Sequence, residues 1–333
     1  MAGRGIVESV ADSSFLAGLG ERDRAAPRII GAIIGGLVVG AVAATACLIL
    51  VLIAYTVVTG EAGAGLEGMR RVAISLRDSP STDLGASSLR LLVAASTNGA
   101  FVLAFVALAA RLAGHRFIDY ITAAPQIRWR LIGVGLVLSA LMLAPVLFLD
   151  REISRDGSAL PILAVSPSFA GRAAYAFAAL LFIPAAAAEE AFFRGWLLRQ
   201  TAAFARQPVV LIAFTAVVFS ALHFDFSPGA FFTRALMGAG FAYMTLRLGG
   251  IEFATGVHAA NNILIILFVE PLTLKATQSA GDLSAGSLLE DAIMVAGYLI
   301  ITEAVVRIEP LRRWAGVHIE DLTRCEATAR TFS

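Results

Sequence analysis

The stretch Ile29-Ile-Gly-Ala-Ile-Ile-Gly-Gly-Leu-Val-Val-Gly-Ala-Val-Ala-Ala-Thr-Ala-Cys-Leu-Ile-Leu-Val-Leu-Ile-Ala-Tyr-Thr-Val-Val-Thr-Gly60 contains no charged side chain. About 20 apolar residues suffice to carry a helix across roughly 30 Å of hydrocarbon, so this run predicts a membrane span. It is too long for the apolar core of a secretory signal. Two more uncharged runs, Leu91–Ala110 and Leu131–Leu149, have the same character. Across all 333 residues, 58% are hydrophobic and 15% charged, with a mean hydropathy of +0.79. Soluble domains carry about 25% charged residues. The expected fold is therefore all-α, a polytopic membrane helical bundle of about eight transmembrane helices, with the lipid bilayer as its surroundings. A secreted disulfide scaffold, a nucleic-acid binder and a disordered chain are excluded. Cys47 lies mid-span and Cys325 in the polar tail, so neither a disulfide nor a thiolate metal site is expected.

Spans are predicted at 29–58, 91–112, 131–149, 173–198, 208–224, 230–248, 252–270 and 290–306. With an even number of crossings both ends lie on one side. Under an N-inside arrangement the inner connections hold sixteen Arg and Lys and the outer ones eight, which predicts cytoplasmic termini in a plasma or inner membrane. Residues 1–28 form an N-terminal cytoplasmic segment and 307–333 a cytoplasmic tail. Residues 29–172 hold three accessory spans, 173–270 the polar core of spans four to seven, and 271–306 a loop and the last span. Residues 60–90 read as a polar connection with a surface helix near Leu66–Leu76. Asp150–Arg172 reads as a loop, because Pro161 and Pro167 discourage regular structure. The pairs Gly31/Gly35 and Gly36/Gly40 permit close helix approach.

Charged groups within hydrocarbon cost at least about 2.5 kcal/mol each, so their positions are informative. Spans four, five and seven carry Glu189, Glu190, Arg194, His223 and His258, two of the protein's four histidines among them. Glu190 and Arg194 stand four apart with the acid N-terminal, the favourable order for a helical ion pair. Glu189 points about 140° away from Arg194 and keeps an uncommitted carboxylate, suited to act as a general base on water. Phe219 shares a helix face with His223. His258 and Asn262 stand side by side at i, i+4, a spacing that can hold a metal or donate two hydrogen bonds to an oxyanion. Glutamate, imidazoles and an amide are the parts of a water-based hydrolase. The serine nucleophile elbow and the His-Glu-x-x-His zinc signature are both absent.

In order, Glu189-Glu190-Ala-Phe-Phe-Arg194, Phe219-Ser-Ala-Leu-His223 and His258-Ala-Ala-Asn261-Asn262 reproduce the EExxxR, FxxxH and HxxxN motifs. Here the sequence resembles the CPBP intramembrane protease family, which includes the CAAX prenyl endopeptidases and bacterial proteins linked to bacteriocin self-immunity. The likeness covers roughly 175–268, with Phe193-Arg194-Gly195 and Gly238–Leu248 also in keeping. The resemblance implies a CAAX-protease-like endopeptidase whose partner is a polypeptide substrate within or at the membrane. Glu189 and His223 would activate water, His258 and Asn262 would stabilise the oxyanion, and Glu190 and Arg194 would position them. It also implies a zinc alternative with Glu189, His223 and His258 as ligands; the metal-free scheme is preferred. Two other readings of the same residues are a non-enzymatic immunity or scaffold protein and a proton-coupled transporter.

Overall fold

The computed structural model describes residues 6–154, 159–272, 285–319 and 322. Among these residues the fold is an all-α membrane bundle without strands. α1 (Ala26–Val58) opens with Pro27 in its first turn, where a missing N–H costs nothing. It lies against α3 (Leu84–Ala113), and its glycines set how closely. A Cβ on Gly36 would overlap the Phe105 ring, and one on Gly40 would sit 2.9 Å from Phe101. The small-residue ridge is thus consumed by packing within the chain. Between them α2 (Gly65–Asp78) buries Val72 and Leu76 against Leu89 and Val93, with its arginines outward. This is the surface helix expected near Leu66–Leu76.

α3 begins seven residues before the predicted span. Asp83 caps it by accepting from the Ala86 amide at 2.8 Å. Arg90 is buried inside it, donating to the carbonyls of Leu76 and Ser79 at the end of α2. An arginine whose donors are satisfied by backbone does not mark a helix boundary. α4 (Trp129–Ser154) runs on past residue 149, and the stretch expected to be a loop contains α5 (Pro161–Ala164) and the start of α6 (Phe169–Ala179). Pro161 acts as a starter, in the first turn of α5; Pro167 stays in the irregular stretch between the helices, before Ser168, whose hydroxyl caps α6 by accepting from the Gly171 amide.

The fourth predicted span is a broken rod. After α6 the chain turns at Leu180–Leu181 and resumes as α7 (Phe182–Glu190), a π-helical stretch (Ala191–Leu197) and α8 (Leu198–Ala202). Pro184 explains the break, since it has no N–H for the carbonyl four residues back. α9 (Pro208–Ala221) and α10 (Pro228–Leu248) form an antiparallel pair. α11 (Glu252–Phe268) packs on α4, and α12 (Ala285–Arg307) lies against α10.

Helix occupies all eight predicted positions. Four segments, Ala26–Val58, Leu84–Ala113, Trp129–Phe148 and Phe169–Ala202, are by themselves long and apolar enough to cross a membrane. α9 has only 14 residues, about 21 Å at 1.5 Å per residue. Its end and the turn after it therefore lie within the depth of the bundle.

The connections sort to two ends. Asp23 meets His115 at 2.7 Å, Arg24 donates to the Ala203 carbonyl at 2.6 Å, and the Ala123 amide donates to the Gly249 carbonyl at 2.9 Å. The Ser14 amide reaches the Leu322 carbonyl at 3.5 Å. The N-terminal segment, residues near 115–129, 199–207 and 249–252, and the chain after α12 thus share one end.

Candidate active site

Glu189 and Glu190 close α7, immediately before the π-helical stretch. Such single-turn insertions shift the phase of the residues that follow and occur often at functional sites. The predicted pair survives the shift: Arg194 Nη1 donates to Glu190 Oε1 at 3.0 Å, and both side chains are 0% exposed. Arg194 Nη2 also donates to the Gly238 carbonyl at 2.9 Å. Its guanidinium lies 4.6 Å from the Phe219 ring centre, 5.1 Å from Phe241 and 5.6 Å from Phe193. A cation so enclosed needs both the carboxylate and the aromatic faces to offset lost hydration.

His258, in the middle of α11, is 3% exposed and joins the two glutamates. Its Nδ1 lies 2.8 Å from Glu190 Oε1, the oxygen that also receives Arg194. A carboxylate can only accept, so Nδ1 donates and Nε2 is directed elsewhere. It lies 3.6 Å from Glu189 Oε2. Phe241 stacks on the imidazole at 5.0 Å with 22° between planes, fixing the ring.

His223 is brought to the same place by a different device. The sequence places it on the face of span five; the structure ends α9 at Ala221 and puts His223 in the turn beyond. Its Nδ1 donates to the Phe219 carbonyl at 2.8 Å, one of the open carbonyls at the helix end, which leaves Nε2 free. Phe219 touches both imidazoles edge-on, at 4.8 Å from His223 and 5.9 Å from His258. Phe224, next in the chain, has φ 55°, a left-handed conformation unusual for an aromatic residue. Asp225 then anchors the turn by accepting from the Ser227 hydroxyl and amide and from Arg234. Irregular backbone at membrane depth is tolerated where it lines a cavity, and this turn does.

The cavity is a cleft of about 470 Å³ whose lining includes Glu189, His223, Asn98, Phe101, Phe192 and Phe224. Asn98, from α3, is the cleft residue that the motifs do not reveal. Its Nδ2 donates to Glu189 Oε1 at 2.6 Å, so the carboxylate expected to be uncommitted has one oxygen engaged. The signal in the sequence is an amide in mid-span, costly for the same reason as a charge. Asn262, one turn beyond His258, is half-buried, and its side-chain amide makes no hydrogen bond to a described residue. Glu189, His223 and His258 do not form a metal-holding set; among the described residues no three His, Cys, Asp or Glu side chains do.

Residues 171–264 match the family described as type II CAAX prenyl endopeptidase Rce1-like. A curated relative, the uncharacterized protein YyaK of Bacillus subtilis (strain 168), is 31% identical over 160 residues, which is 46% of this chain and 52% of the relative. The chain thus spans about half the length of that protein. No solved structure matches. The matched segment contains Glu189, Glu190, Arg194, Phe219, His223, His258 and Asn262. The likeness to the Rce1-like CAAX prenyl endopeptidase family thus lies in residues 171–264, the segment that holds all three motifs.

Proposed function

We propose that the protein is an intramembrane endopeptidase acting on a membrane-embedded or membrane-anchored polypeptide. The observation that carries this reading is the 3.6 Å between Glu189 Oε2 and His258 Nε2, beside a cleft that His223 also lines. A water held between Glu189 and His223 Nε2 gives its proton to the carboxylate and attacks the peptide carbonyl carbon. The oxyanion that forms accepts from His258 Nε2 and the Asn262 amide. The captured proton then passes to the leaving nitrogen as the C–N bond breaks. For Nε2 to donate while Nδ1 donates to Glu190, the His258 ring acts with both protons in place, between its two carboxylates. A positioned general base contributes about 10²–10⁴-fold and one oxyanion donor about 10²–10³-fold. Glu190 and Arg194 touch no substrate in this scheme; they hold His258.

The catalytic core we draw at 173–270 borrows Asn98 from the three accessory spans. Both termini face the cytoplasm of a plasma or inner membrane, a reading supported by the arginine excess at the end they share. Comparative peptidomics tests the activity and its substrate together, using membranes with the intact protein, without it, and with Glu189→Gln. Peptides released only by the intact protein are the expected result. The same release from the Glu189→Gln membranes would contradict the base assignment.

A further inference from the structure

The two ends of the bundle treat their arginines differently. Near α2, Arg70, Arg71 and Arg77 pair with Glu67, Glu61 and Asp78, and Arg90 and Arg172 donate to backbone carbonyls. At the end that gathers the termini Arg24, Arg116, Arg128, Arg199 and Arg247 are also partnered, but the guanidinium groups of Arg22, Arg28, Arg111, Arg130 and Arg206 make no hydrogen bond or ion pair with a described residue. One of these five, Arg130, lies in a depression of about 450 Å³.

That depression lies where α4 begins, between Trp129 and Trp314, which are 72% and 56% exposed. Its floor is rigid. Arg128 is locked to Glu252 at 2.7 Å and to the Leu248 carbonyl at 2.8 Å, so its charge is already spent. The opposite wall is the short helix Glu309–Trp314 and the turn at Gly316, whose φ of +74° folds the chain back to place His318 on the lining. Among the described residues the lining contains no carboxylate, and Arg130 and His318 are both exposed and unpartnered. The apolar stretch Trp129–Phe148 starts at this rim. An exposed tryptophan at the start of a span, here Trp129, marks the interfacial level, and Trp314 faces the same depression, which therefore opens at headgroup depth.

We infer that this depression binds the headgroup of an anionic phospholipid, with Arg130 and His318 meeting the phosphate and Trp129 and Trp314 flanking the glycerol region. Basic pockets at this depth take acidic lipids, each cation being worth about fivefold in affinity. The site is separate from the cleft and does not depend on the proteolytic reading.

Native mass spectrometry of the full chain in detergent tests it, with phosphatidylglycerol, phosphatidylcholine or inorganic phosphate added. Preferential retention of one phosphatidylglycerol is expected, reduced about five- to tenfold in the double variant Arg130→Gln/His318→Gln and unchanged in Arg206→Gln. Equal retention of the two lipids would overturn the inference, as would a double variant that binds like the wild type. So would inorganic phosphate competing as well as the lipid, which would make this a site for a free anion. If the double variant does not fold, quenching of wild-type tryptophan fluorescence decides. Trp196 is buried, so the signal reports Trp129 and Trp314; brominated phosphatidylglycerol must quench more strongly than brominated phosphatidylcholine.

Discussion

Glu189 and Glu190 are neighbours in the chain, yet the regions they enter have little in common. Glu190 belongs to a closed wall behind the cleft, with Arg194 on one side, His258 Nδ1 on the other and three phenylalanines around the cation. Glu189 belongs to the cleft itself, 21% exposed, steadied by Asn98 and facing the second nitrogen of the same imidazole. Adjacent acids in a motif therefore need not share a task. A fully buried ion pair holds geometry but has no route to a substrate. A part-exposed carboxylate beside a cleft can reach water. His258 is the hinge between the regions, one nitrogen given to each.

The largest effect is expected at Arg194. Arg194→Ala leaves Glu190 buried without its cation, and removing one partner of a buried pair costs about 3–5 kcal/mol. The expected outcome is loss of folded protein, seen as a lowered melting temperature and poor recovery. Full stability in this variant would mean that the wall is wetter than the 0% exposure of both side chains indicates.

A smaller effect is expected on the cleft side. Asn98→Ala frees one oxygen of Glu189 without opening the core. Hydrolysis of a reporter peptide should fall about tenfold, the equivalent of one lost hydrogen bond to a charged group, while the melting temperature stays near wild type. A variant that lost stability and kept its turnover would put Asn98 in the wall instead.

Smallest is Phe241→Leu, which removes the ring stacked on His258 but keeps most of the buried volume. Aromatic pairs contribute about 0.5–1.5 kcal/mol beyond their area. Turnover and stability should therefore both fall by modest amounts, because the ring supports the one residue common to the two regions.

Much of this arrangement is legible in the residues alone. Long uncharged runs declare the bundle, and the i, i+4 spacing of Glu190 and Arg194 anticipates their ion pair even through the π-helical turn. What the chain does not disclose locally is who meets whom across it. Asn98 reaches Glu189 from 91 positions away, and Glu190 meets His258 over 68; no periodicity encodes such pairings. Helix-face geometry also presumes a regular helix. It fails at Leu180–Leu181, where Pro184 interrupts the rod, and at His223, which a shortened α9 leaves in a turn. Pro161, read as a breaker, turns out to begin a helix, because its position in the first turn decides which it does, whereas Pro167 stays in the irregular stretch before the N-cap Ser168.

The division between the two glutamates can be measured directly, as hydrolysis of a membrane-anchored reporter per folded molecule by purified Glu189→Gln and by the wild type. Glutamine keeps the shape and can still bond to Asn98, but it cannot take a proton from water. A loss of about 10²–10⁴-fold is expected, with melting behaviour unchanged. Turnover within a few-fold of wild type in a folded Glu189→Gln protein would contradict it.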